Sequence, residues 1–228
     1  MARIARIVVP DVPHHVTQRG NNRQEVFFVD ADRHAYLQIL AEECSTENVV
    51  LLGYCLMSNH IHLIATPAKV ASLARAVGRT HWRYTQYVNR LHGRSGHLWQ
   101  NRFYSCPLGS SHLHRAVRYV ERNPVRARMQ RRAWEYAWSS AGIHVGMAPA
   151  SSPQGFIVPN VSTFKPEAQS WKAYLSAVDD PKDLALLRQS TSRGRPLAGD
   201  SMMSKLEKLL GRRLRPLPVG RPKGKKIK

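Results

Sequence analysis

Apolar positions recur with two different periods along this chain, and each switch of period marks an element. Residues 14–29, "HHVTQRGNNRQEVFFV", predict two short strand-like pieces around a polar Gly-Asn-Asn turn. Asp30 and Asp32 then offer capping acids for a helix to about Glu47, with Tyr36, Leu37, Leu40, Ala41 and Cys44 at helical spacing. Residues 48–66 form a nearly continuous apolar run broken at Ser58-Asn59, which predicts a hairpin of "NVVLLGYCLM" and "HIHLIAT". A second helix is expected over 70–91, another strand over 96–108 and a third helix over about 111–123. In the third helix Leu113, Ala116, Val117 and Val120 make the stripe that faces the core. This order of elements predicts an α+β layer fold, a ferredoxin-like (RRM-like) antiparallel sheet with helices packed on one face.

The pattern changes near residue 148, so the principal domain is expected over 1–147. "APASSPQGFIVPN" reads as a linker or long loop over 148–165. A helical C-terminal region over 166–214 follows, with helices expected over 166–178 and 201–214. The second carries Met203, Leu206, Leu209, Leu210 and Leu214 on one stripe. Residues 215–228 are too basic and too rich in Pro and Gly to fold alone.

Charge narrows the choice of partner. The 228 residues carry a formal net charge of +20, and residues 191–228 alone hold 12 Lys/Arg against 2 Asp/Glu. Such a bias attracts polyanions, nucleic acid first. No apolar run approaches the ~20 residues of a membrane span, and the opening "MARIARIVVPDVP" is too short and too soon broken by proline for a signal peptide. Three widely spaced cysteines, Cys44, Cys55 and Cys106, predict neither a disulfide framework nor a zinc knuckle and suit a reducing cytoplasm. A cytoplasmic, nucleoid-associated protein with no membrane partner is the expectation.

Two constellations carry candidate chemistry. In "LMSNHIHLIATP" a strand would project His60 and His62 to the same face, where two neutral imidazoles can share a divalent cation. The same residues would also serve as ordinary polar positions at a strand start. In "HRAVRYVERNPVRARM", Tyr119 and Asn123 stack four apart on one helix face, with Arg115 one turn earlier. Tyr119 could be a packing residue with a wet tip, and Asn123 before Pro124 could cap a new helix.

Taken with "HLWQNRFYS" and "VTQRGNNRQ", these segments resemble, in order and spacing, the REP-associated tyrosine transposases, part of the wider single-tyrosine HUH (His-hydrophobic-His) transposases. The resemblance covers about residues 5–145. It implies Tyr119 as nucleophile, with His60, His62 and Asn123 holding a divalent metal, Mg²⁺ or Mn²⁺. It further implies a metal-dependent single-stranded DNA endonuclease and strand transferase that cleaves near hairpin-forming, REP-like palindromes through a 5′-phosphotyrosine intermediate, as a monomer or homodimer. A tyrosine hydroxyl ordinarily ionises near pH 10, a handicap of roughly 4 kcal/mol at neutral pH. A metal that stabilises the leaving oxygen offsets part of it.

The candidate DNA contacts are Arg19, Asn21, Arg79, Arg83, Trp99, Gln100, Arg102 and Arg115, with Arg221 and Lys223 in an AT-hook-like "GRPKGKK". Trp99 could equally fill a core, and the arginines of the second helix could be a solvated face. Two rival functions stand beside the nuclease: a domesticated, non-catalytic protein that recognises repeat hairpins, and an RNA-binding protein using a ferredoxin-like sheet.

Overall fold

The computed structural model describes residues 6–147 and 170–215. The expected linker over 148–165 lies outside the described residues, as do Arg221 and Lys223. Four strands, β1 (His14–Arg19), β2 (Val49–Met57), β3 (His60–Pro67) and β4 (Tyr104–Pro107), form one antiparallel sheet in the order β2-β3-β1-β4. Helices α1 (Asp30–Thr46) and α2 (Ser72–Leu91) are the crossovers of the ferredoxin-like fold that the sequence predicts. Beyond β4 come α3 (Ser110–Glu121), α4 (Asn123–Arg126), α5 (Ala141–His144), α6 (Trp171–Ser176), α7 (Pro181–Arg193) and α8 (Asp200–Leu210).

Register divides the sheet into two unlike faces. Thr17 pairs with His62 and Arg19 with His60, while His15 stands opposite Ile64 and Cys106. Because paired residues share a face, His15, Thr17, Arg19, His60 and His62 project together, and Val16, Ile61 and Leu63 project the other way. The second set is fully buried in the layer made with α1 and α2, whose Tyr36, Leu37, Leu40, Leu73 and Tyr84 are closed to solvent.

The expected fold class holds with one correction: helices cover both faces. Val117 of α3 lies 3.5 Å from where a Cβ on Gly53 would stand, and Thr191 of α7 reaches His15. Gly53 ends the bulge in β2 that begins at Leu51, and a side chain there would also crowd Ser140 Oγ at 3.3 Å.

Other expectations change in detail. The strand expected over 96–108 shortens to Tyr104–Pro107, because Asn101 takes a left-handed φ of 57°. Before that break, Trp99 makes only an isolated bridge to Gly20. The second strand-like piece before α1 forms no strand, since the amides of Val26 and Phe27 both donate to the Ser58 carbonyl. The turn ahead of it needs Gly20, where a Cβ would meet the Gln24 carbonyl oxygen at 2.2 Å. At α1 Asp32 caps as expected, its carboxylate accepting from the amides of Phe28 and Val29, whereas Asp30 opens the helix and pairs with Arg33 at 3.3 Å.

Helix α7 is the element that the apolar pattern does not announce. Its ends are well specified: Asp180 accepts from the Lys182 amide, Pro181 takes the first position, and Gly194 closes it with φ 63°. Two polar networks tie this C-terminal segment to α3. Asp179 receives Arg118 and Arg122 at 3.0 Å and Arg126 at 3.5 Å. The buried Glu121 carboxylate accepts from Trp171 Nε1 at 2.8 Å, from Ser140 Oγ at 2.6 Å and from His144 Nδ1. Helix α8 packs separately, its Leu206 and the following Leu214 enclosed with Ile7 and Val9. Its stripe is narrower than expected, since Leu209 is exposed.

Candidate active site

Strand alternation, a helix end and α7 build one cleft of about 430 Å³, a size that accommodates a small-molecule moiety. Its lining includes His60, His62, Tyr119, Asn123, Arg188 and Thr191. The rings of His60 and His62 lie 5.1 Å apart, and Tyr119 meets His62 edge-on at 5.6 Å. His15, one strand over, stacks on His62 at 5.1 Å with an interplanar angle of 5°. The two expected constellations are therefore in one place.

Each side chain is held by its element. Asn123 sits where α3 gives way to α4, and its Nδ2 donates to the carbonyls of Tyr119 and Val120 at 3.2 and 3.1 Å. Those are end-of-helix carbonyls that need a donor. Its Oδ1 accepts no hydrogen bond from the described residues and stays available as a ligand. The N-cap role expected of Asn123 is not the one seen: Arg122 takes that position with no side-chain cap, and Asn123 instead satisfies the end of α3 through Nδ2, which leaves Oδ1 for a ligand role. The Arg126 guanidinium lies 4.2 Å above the Tyr119 ring and donates to the Tyr119 carbonyl. Arg188 reaches from α7 to the phenol oxygen, Nε to Oη 3.4 Å.

The electrostatics keep the imidazoles neutral. Burial, helped by Arg19, lowers the His60 pKa to about 4. Burial first, then His15, His60, Arg126 and Arg19, holds His62 well below the ordinary range. Neutral imidazole is the form that binds metal. His60 Nδ1 donates to Asn59 Oδ1 at 2.6 Å, an amide oriented by the bond from its own Nδ2 to the Arg23 carbonyl. That leaves Nε2 as the nitrogen of His60 with a lone pair.

Among the described residues no group of three or more His, Cys, Asp or Glu side chains is arranged to hold an ion. An ion here would take two imidazoles and the Asn123 amide oxygen, and complete its shell from substrate and water. The donors present fit Mg²⁺ or Mn²⁺, which favour mixed shells rich in oxygen.

The candidate DNA contacts fall into groups. Arg19 and Gln100 line the cleft. Asn21 stands in the turn after β1, its amide bonded to the Leu98 carbonyl. Arg102 borders a separate hollow with Arg6, His81 and the exposed Trp82. Trp99 is in the core, stacked on His81 at 4.4 Å. Arg79 and Arg83 do not line the cleft and are paired with acids at the C-terminal end of α1, Arg79 with the capping residue Glu47 at 3.2 Å and Arg83 with Glu42 at 2.7 Å. Arg115 is paired with Asp183 of α7 at 2.9 Å.

The model of the family described as "Transposase IS200 like" matches residues 8–123, a span that runs from Val8, ahead of β1, to Asn123 itself. This chain belongs to the IS200-like transposases. Among curated proteins none shows significant similarity to this transposase. Among solved structures, a REP-associated tyrosine transposase bound to a REP hairpin is similar with a TM-score of 0.56 and 16% identity, over 71% of this chain and 96% of that one. A putative transposase from Deinococcus radiodurans is similar with a TM-score of 0.37 and 19% identity, over 57% of this chain and 94% of that one. The first likeness carries the fold: a four-stranded antiparallel sheet with helices. In this transposase no helix among the described residues is long and apolar enough to cross a membrane.

Sequence reasoning missed four residues of the site, His15, Arg126, Arg188 and Thr191. His15 was signalled by its place two before Thr17 on a strand whose next alternate residue is Arg19. Arg188 and Thr191 are spaced as neighbours on one helix face, but they belong to the helix that was not anticipated.

Proposed function

We propose that this transposase is a metal-dependent endonuclease and strand transferase for single-stranded DNA, cutting beside hairpin-forming repeats of the REP type. The observation that supports it is the meeting of His60, His62, Asn123 and Tyr119 in one cleft, with the imidazoles neutral and the Asn123 oxygen unspent. His60, His62 and Asn123 would hold Mg²⁺ or Mn²⁺, which when bound polarises the scissile phosphate and stabilises the leaving oxygen.

Tyr119 Oη attacks phosphorus. As that O–P bond forms, the bond from phosphorus to the 3′ oxygen breaks, the phenol proton passes to solvent, and the 3′ oxygen leaves as a hydroxyl. The products are a 5′-phosphotyrosine and a free 3′-OH. One phosphoester replaces another, so a second 3′-OH can reverse the step and join strands without ATP. Arg126 holds the Tyr119 ring in place, and Arg188 supplies positive charge beside its oxygen. Arg19 and Gln100, at the same cleft, suit the strand's phosphates and bases. The basic tail adds affinity that falls with salt.

The test is a library of single-stranded hairpins with varied flanks, incubated with the protein and Mn²⁺, Mg²⁺ or EDTA and run on denaturing gels. A metal-dependent covalent adduct mapped to Tyr119 and lost in His60→Ala supports the proposal. Tight hairpin binding with no adduct under either metal overturns it in favour of a non-catalytic repeat-binding protein.

A further inference from the structure

A hydrogen-bond chain enters the site from α7 and ends on one of the two metal-binding imidazoles. Thr191 Oγ1 lies 2.8 Å from the Leu187 carbonyl oxygen. A carbonyl has no proton to give, so the hydroxyl proton lies on that bond and is spent there. The same Oγ1 stands 2.7 Å from His15 Nδ1, and with its proton committed it can only accept. His15 therefore carries its proton on Nδ1, and its Nε2 is an acceptor. That Nε2 lies 2.9 Å from His62 Nδ1, which must be the donor. The remaining nitrogen of His62, Nε2, is left with the lone pair that a metal needs. The chain has no slack, since Cys106 Sγ, 3.4 Å from Thr191 Oγ1, fills the hydroxyl's second acceptor position.

We propose that Thr191 and His15 are positioning residues that lock His62 in the tautomer able to bind metal, so that helix α7 sets the ion affinity of the active site. This rests on the reading that His60 and His62 hold a metal. It differs from the orientation of His60, which Asn59 fixes from within the hairpin. One imidazole is set by its own strand turn and the other by a helix more than a hundred residues away in the chain. Partners of this kind are worth roughly 10- to 100-fold in metal affinity.

Two measurements on the full chain, without DNA, decide it. Long-range ¹H–¹⁵N correlation spectra of the metal-free protein should show His62 and His15 each protonated on Nδ1. Titration with Mn²⁺, followed by the electron paramagnetic resonance signal of the free ion, should show Thr191→Val binding roughly 10- to 100-fold more weakly than the unmodified protein. Thr191→Ser, which keeps the hydroxyl, should restore it. His62 protonated on Nε2 overturns the proposal, as does Mn²⁺ binding that is unchanged in Thr191→Val or equally weak in valine and serine variants. Failure of the underlying reading looks different: the unmodified protein would then bind no Mn²⁺ that His60→Ala abolishes, whatever the spectra show.

Discussion

Two histidine–tyrosine pairs lie on opposite sides of the sheet, and burial barely tells them apart. His81 is 8% exposed and His62 6%; Tyr36 is 0% exposed and Tyr119 8%. In the first pair the tyrosine hydroxyl and His81 Nε2 bond to each other at 3.1 Å, and Trp99 stacks over the imidazole at 4.4 Å. Those groups satisfy one another and close a core. In the second, the rings meet edge-on, His62 uses Nδ1 on His15, and among the described residues the one hydrogen-bond partner of the Tyr119 hydroxyl is an arginine at 3.4 Å. Residue type and burial do not mark a site; a buried polar atom held in place with bonding capacity unused does.

The sharpest break of this comparison is removal of one hydroxyl from each side. Tyr119→Phe should abolish adduct formation on a cleavable hairpin, a loss of at least ~10³-fold, while hairpin affinity in EDTA is retained. Tyr36→Phe should leave the adduct. Equal loss from both would erase the distinction.

Next is stability. His81→Ala opens a hole under Trp99 and should cost ~2–4 kcal/mol in urea unfolding. Its pH dependence sharpens the point. Burial lowers the His81 pKa to about 3, whereas the unfolded chain takes up that proton near pH 6.5. His81 therefore contributes stability that is fully present above about pH 6.5 and is lost as pH falls from there toward about 3. His81→Gln should reduce the acid slope of stability by up to ~1.4 kcal/mol per pH unit.

Smaller again is Arg188→Ala, which should slow single-turnover cleavage about tenfold with little change in hairpin affinity, the loss of one charged partner beside the developing phosphotyrosine bond. Smallest is Arg83→Gln. This ion pair with Glu42 and Glu43 is partly exposed and should cost less than about 1 kcal/mol, with cleavage unchanged. A marked fall in DNA affinity instead would return α2 to the DNA path.

The parts of this molecule legible in sequence are those governed by short spacing. His60 and His62 two apart on a strand, and Tyr119 and Asn123 four apart beside a helix end, need only the local period to be placed. The hairpin announces itself through Ser58-Asn59. The 96–108 segment misleads because Gly and Pro stand at its ends as they would around a strand, while the left-handed backbone at Asn101 leaves no mark in the pattern. Helix α7 escaped because it buries little apolar surface: of "PKDLALLRQSTSR" only Leu187 and Thr191 are buried. Its caps, Asp180-Pro181 and Gly194, were the available signal. Alternation alone puts His15 on one face with Thr17 and Arg19, but its place beside His62 needs the pairing of its strand with β3, a long-range fact that no window along the chain contains.

The Asp179 cluster has a consequence for how such a protein can be rebuilt. Arg118, Arg122 and Arg126 converge on one carboxylate contributed from beyond residue 170, and the buried Glu121 relies on an indole from the same segment. A chimera that kept the first 147 residues and borrowed a foreign tail would inherit three neighbouring guanidiniums with no acid to meet them, and a buried carboxylate stripped of a donor. The tail is therefore not a portable module. Any graft must bring an Asp and a Trp at the right separation, or exchange the arginines along with it.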